Sequence, residues 1–278
     1  MDQSIKVVFK VSATLVISFL SLLAVVIAAK LFGFDIKSIK DPSSALNFSS
    51  IVIVLCILLL PILITFLSEK FLHKNPSFLQ DYFANSRINS TLQFFVIGFL
   101  LKLFATGCAF SLSPQADYHS ALGSADSSWM LCFLWFWIAL ILNSLNEELI
   151  YRAYPIKKLT SLKGISPLVV VVLAAIIFSI MHFLIEEPDL SLFAYRTAFG
   201  LFAGVLFVKN KSLSDIIGLH TGWNLAALSF SGDTDWRMGG VINTTGVIEA
   251  KETVFNIILL LGAFLFVLLL ERSKRLKQ

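Results

Sequence analysis

Charged residues make up only 14% of this 278-residue chain, against 57% hydrophobic ones, and the mean hydropathy is +0.83. So little charge excludes a soluble domain, because no domain of this size could hide that much apolar surface. Cysteine is scarce too. Cys56, Cys108 and Cys132 each stand alone in an apolar run, which argues for small buried hydrophobes rather than a disulfide or a metal ligand set. The chain has no repeat of fixed period, no low-complexity segment, no glycine-rich nucleotide loop and no large cytoplasmic domain. Neither nucleotide nor nucleic acid is therefore expected as a partner, and ATP-driven action is not expected either. Common protease signatures are missing as well. There is no HExxH helix and no GxSxG elbow, and no aspartate is placed inside a span, which excludes an aspartyl dyad.

What the chain does have is long uncharged runs separated by short charged joints. This pattern predicts an all-α, polytopic transmembrane helical bundle, a single membrane-embedded domain over 1–278 with about eight spans. The spans fall near 8–32, 46–68, 90–112, 129–156, 165–185, 190–208, 213–230 and 253–270. Val11 to Ala29 is read as the first span, since Lys30 follows it where a secretory signal would place a small-residue cleavage site. Pro61 is expected to kink the second span. Lys102 interrupts the third and must snorkel or face the interior. Gly200 and Gly204 give the sixth a small-xxx-small face for close helix approach. With the N-terminus inside, fifteen of the 22 Lys and Arg residues fall on the inner side, so both termini are expected in the cytoplasm.

Polar residues within spans mark function by default. Glu147 and Glu148 lie in the fourth span, His182 in the fifth and His220 in the seventh, which invites a convergent site. Successive helical residues are ~100° apart, so the two glutamates are not expected to point at one target. Glu148 and Arg152, four apart, share a face and can form an ion pair. Glu147, on another face between Asn143 and Tyr151, is left available for proton transfer. The same four-residue step pairs Phe178 with His182 and His220 with Asn224. A histidine and an amide side by side can donate hydrogen bonds to a developing oxyanion. At ~1.5 Å per residue, Glu147 and His220 lie about 12–17 Å from the inner surface and His182 at ~22 Å, a mismatch that tilt or a shifted boundary must close.

In order along the chain, EELIYR, FSIMH and HTGWN resemble the EExxxR, FxxxH and HxxxN motifs of the CPBP family. These are the CAAX proteases and bacteriocin-processing enzymes, or Abi family, of intramembrane proteases. The resemblance covers roughly 130–230, the motif-bearing fourth to seventh spans, with Ala153 standing where members often have glycine. It implies a glutamate-dependent endopeptidase with a cavity open to the cytoplasm. Glu147 is implied to activate water with His182, and His220 with Asn224 to form the oxyanion site. Glu148 with Arg152 is implied to hold the framework, and Phe178 is read as a packing shelf beside His182. No cofactor is favoured, because Glu148 is committed to Arg152 and an amide is a poor zinc ligand; zinc on Glu147, His182 and His220 is left open. The implied partners are a membrane-associated peptide or protein substrate and the lipid bilayer. The expected location is a bacterial plasma membrane, crossed several times.

Blander readings stay open beside this one. The two glutamates could mark a helix end at the interface, and the histidines could be interhelical hydrogen-bond glue. An ion- or proton-coupled transporter, or a catalytically idle immunity or scaffold protein, would use the same residues. Glu186 and Glu187 are read as an outer loop with Arg196 reaching toward them, and His73 and His119 as loop residues. Ser231 to Glu252 is read as an outer loop or a re-entrant piece.

Overall fold

The computed structural model describes residues 3–34, 47–112, 127–183, 188–230 and 246–275. All elements among them are helical: α1 (Gln3–Leu31), α2 (Phe48–Leu67), α3 (Phe78–Phe83), α4 (Ile88–Ser111), α5 (Ser127–Glu147), α6 (Tyr154–Thr160), α7 (Pro167–His182), α8 (Leu190–Asn210), α9 (Leu213–Phe230) and α10 (Gly246–Arg275). Two π-helical segments, Ser68–Leu72 after α2 and Glu148–Ala153 between α5 and α6, complete the order. Glu186, Glu187, His119 and residues 231–245 lie outside the described residues. The remainder of the expected outer loop, 246–252, is the first part of α10, and Glu252 is buried in the bundle rather than exposed in a loop.

The bundle is apolar outside, and small and polar residues join large apolar ones inside. On α4, Leu92, Val96, Leu100 and Phe104 recur every four residues on the exposed face, while Gly98, Lys102, Ala105, Thr106 and Ala109 form the buried stripe. That inversion suits hydrocarbon, where packing of small residues and interhelical hydrogen bonds replace a water-driven core. Among the described residues, five helical stretches are long and apolar enough to cross a membrane: Gln3–Leu31, Phe48–Leu72, Ile88–Ser111, Leu190–Asn210 and Ala250–Leu270. Of the helices that carry the motifs, α9 has its hydropathy lowered by its polar side chains, and α7 is a shorter apolar helix of 16 residues.

Helices α4 and α9 pack along their lengths, α7 packs on α8, and α10 covers α4 and α8. The α4–α9 contact brings backbone against backbone. A Cβ on Gly98 would collide with the Leu219 carbonyl oxygen, and one on Gly222, inside HTGWN, with that of Phe95. Gly200 and Gly204 face Ala175 and Val171 of α7, as the small-xxx-small spacing predicts. Asp215 corrects the expectation that no aspartate lies in a span. It is buried in the first turn of α9 and accepts a hydrogen bond from Asn210 at 3.0 Å. It therefore serves a helix start and supplies no dyad.

Lys102 faces the interior. Its ammonium lies 2.7 Å from Glu252 of α10, both side chains are about 5% exposed, and the Thr106 hydroxyl donates to the same carboxylate at 2.5 Å. Lys102 also lies over the rings of Trp223 and Tyr195, at 5.7 and 5.9 Å. The Trp223 indole in turn donates to the Tyr195 hydroxyl at 2.6 Å. Removing one member of such a pair strands a buried charge. Lys102→Met is expected to lower stability by about 3 kcal/mol, and Lys102→Met with Glu252→Met to recover most of it. Thermal melts in detergent check this, and an unchanged melting temperature in the single variant would count against the pair.

At the other end of the bundle, buried Glu69 accepts from Lys158 at 2.7 Å and from Tyr82 at 2.9 Å. Burial first, and the Glu69 charge second, push the Tyr82 phenol well above its usual range. The Tyr154 hydroxyl joins Thr14 at 3.0 Å, Ser68 at 3.3 Å and His73 at 2.9 Å. These bonds fix α6, and with it the π-helical segment just before it, to α1 and to the turn that follows α2.

Candidate active site

The segment Glu148–Ala153 has a local cause. Pro155, the second residue of α6, has no N–H to return to Tyr151, and the Tyr154 N–H bonds five residues back to Leu149. The widened turn bears the second glutamate, Tyr151 and the arginine of the first motif. Tertiary packing rather than spacing alone then decides where they point.

Glu148 and Arg152 are completely buried and joined Oε1 to Nη1. The Arg152 guanidinium lies 4.0 Å from the centre of the Phe178 ring and 5.2 Å from that of Phe199. Phe178 packs edge-on against His182, with centroids 4.6 Å apart, so it supports both the cation and the imidazole. Phe199 of α8 packs on His220 at 4.8 Å. Nothing in the sequence singled out Phe199 among 26 phenylalanines.

The two glutamates meet at one ring, against the expectation that they cannot share a target. The Nδ1–H of His220 donates to Glu148 Oε1 at 2.6 Å, and its Nε2 lies 3.6 Å from Glu147 Oε2. Neighbouring carboxylates on diverging faces can reach opposite nitrogens of one imidazole when the ring lies across both faces. The change to π-helical geometry at Glu148 helps bring this about. His182 donates Nδ1–H to the Phe178 carbonyl at 2.9 Å, which turns its Nε2 toward Glu147 Oε1, 4.0 Å away. His182 thus comes within 4.0 Å of Glu147, although a count of ~1.5 Å per residue along each helix sets the two at different depths. Asn143, one turn before Glu147, donates its amide to Glu147 Oε1 at 3.0 Å. Asn143 stands outside the three motifs, although its four-residue step to Glu147 is legible in the sequence. Asn224 is half-buried one turn beyond His220 on the same face of α9.

The exposure of these groups divides them. The side chains of Glu147 and His182 are 17% and 18% exposed, while those of Glu148 and Arg152 are fully enclosed. The site therefore presents one reachable carboxylate and one reachable imidazole above an enclosed ion pair. Among the described residues, no group of three or more His, Cys, Asp and Glu is arranged to hold a metal ion. Glu148 is engaged by Arg152 and by His220 Nδ1, and so is not free to serve as a ligand.

These side chains form a polar site within a bundle of membrane type. Residues 128–226, which include every one of the motif residues, match the family described as type II CAAX prenyl endopeptidase Rce1-like. That segment is similar to the Rce1-like, CPBP type, in line with the three motifs. With the apolar helices, the match supports a multi-pass membrane protein with CAAX-type protease activity and a membrane-associated peptide as substrate. No curated protein and no solved structure matches the chain.

Proposed function

We propose that this protein is an intramembrane endopeptidase that cleaves a membrane-associated peptide or protein with water activated by Glu147 and His182. The observation that carries the proposal is the position of the Glu147 carboxylate between two imidazole Nε2 atoms, 4.0 Å from His182 and 3.6 Å from His220. A 4.0 Å gap is too long for a direct hydrogen bond and short enough for one water held by both groups. His182, with its Nδ1–H given to Phe178, offers Nε2 as an acceptor to that water. Glu147 takes a proton as the water oxygen attacks the peptide carbonyl, then delivers it to the departing amine as the C–N bond breaks.

The carbonyl oxygen gains negative charge in this step and needs donors. The His220 ring gives Nδ1–H to Glu148, so it donates from Nε2 when protonated on both nitrogens. The enclosed Glu148 carboxylate supports that imidazolium, and Arg152 balances the carboxylate. The Asn224 amide is the second donor. The chemistry is metal-free, since Glu148 is occupied and Asn224 is an amide. Both termini lie in the cytoplasm of a bacterial plasma membrane, a placement supported by the bias of Lys and Arg toward one side.

Comparative membrane proteomics of wild-type and Glu147→Ala cells tests the function. A membrane-associated peptide or protein is expected to accumulate uncut in the variant, and purified wild-type enzyme is expected to cut it equally well after dialysis against a zinc chelator. Identical proteomes would remove the support for proteolysis, and loss of cleavage on chelation, restored by zinc, would overturn the metal-free step.

A further inference from the structure

We propose that Asn143 is a positioning residue that sets the Glu147 carboxylate for proton abstraction without neutralising it; this inference rests on the protease reading. The two adjacent glutamates are each held by a residue four positions away, but by different chemistry. Glu148 is held by a guanidinium from the C-terminal side, Glu147 by an amide from the N-terminal side. A carboxylate only accepts hydrogen bonds, so the group facing it is the Asn143 NH2. A cation in that position would hold the side chain more firmly and also lower its affinity for a proton. A neutral donor fixes orientation and leaves most of the basicity in place.

The geometry shows what the orientation achieves. Asn143 binds Oε1, the oxygen that faces His182, at 3.0 Å, and Oε2 is left facing His220. Glutamate has several rotatable bonds and high side-chain entropy. Without the amide, the partly exposed Glu147 can swing further toward His220, which its Oε2 already faces at 3.6 Å. That swing would move Oε1 away from His182 and separate the pair that holds the attacking water.

The test uses full-length protein and the peptide that accumulates in Glu147→Ala cells. Asn143→Leu keeps the size of the side chain and removes the donor, and Asn143→Gln keeps the donor on a longer stem. Asn143→Leu is expected to lower kcat by about 10- to 100-fold, within the range for misplaced general-base groups, with KM changed by no more than about threefold. Asn143→Gln is expected to recover part of the loss, and the melting temperatures of both to match wild type. An unchanged kcat in Asn143→Leu overturns the proposal, as does a rise in KM alone, which would make Asn143 a substrate contact. A fall in melting temperature that accounts for the lost activity overturns it too. Infrared difference spectra against Glu147→Gln give a readout that needs no substrate. The Glu147 carboxylate band is expected to shift in Asn143→Leu, and an unshifted band overturns the proposal whatever the activity. The parent reading is judged separately: a fully active Glu147→Ala protein ends it, whereas an inactive Glu147→Ala beside a fully active Asn143→Leu ends only the role of Asn143.

Discussion

Glu147→Gln is expected to reduce kcat/KM for the native substrate by about 10²- to 10⁴-fold, the usual contribution of a general base, while the protein melts at the wild-type temperature. The substitution keeps the size of the side chain and an oxygen to accept from Asn143, so it removes proton affinity and little else. His182→Ala is expected to give a loss of similar order, because it removes the other partner of the water. The two losses should not add in the double variant, since both groups act on one molecule of water. Cleavage assays with purified single and double variants check this. Full turnover by Glu147→Gln, or losses that multiply in the double variant, would show that the pair does not work as described.

Arg152→Ala is expected to lower stability by about 5 kcal/mol, the upper end of the cost of stranding a buried charge. It leaves Glu148 enclosed with only His220 beside it, and it removes the cation packed over Phe178 and Phe199. Low protein level and a large fall in melting temperature are the measurements that show it. A second variant separates folding from chemistry. Replacing both Glu148 and Arg152 by methionine removes both charges together, and such replacements of buried pairs are often neutral or better for stability. This double variant is expected to fold, yet to remain inactive, because His220 has lost the acceptor that holds its ring. A folded and active double variant would mean that the ion pair has no part in aligning His220.

Much of this arrangement was legible in the sequence because it is periodic. Long apolar runs mark the helices, and four-residue steps place Arg152 beside Glu148, His182 beside Phe178 and Asn224 beside His220. What spacing could not supply lies between helices. The convergence of both glutamates on His220 depends on a π-helical segment whose single local signal is Pro155. The approach of His182 to Glu147 is likewise invisible to a count of residues along separate helices, which sets the two at different depths. The partner of Lys102 lies 150 positions away, in a stretch whose glycines and charges read as a loop. Phe199 has a role only because α8 brings it against Arg152 and His220.

The contact of α4 with α9 at Gly98 and Gly222 has a mechanical consequence for the site. His220 and Asn224 ride on a helix whose backbone already touches its neighbour, so that side of the cleft acts as a fixed jaw. Glu147 borders a segment tied down through Tyr154, whereas the second jaw, at His182, is the last turn of a short helix, where helical order is weakest. Compliance needed to admit a polypeptide therefore falls to that second jaw, and stiffening it should slow entry well before it disturbs the anvil.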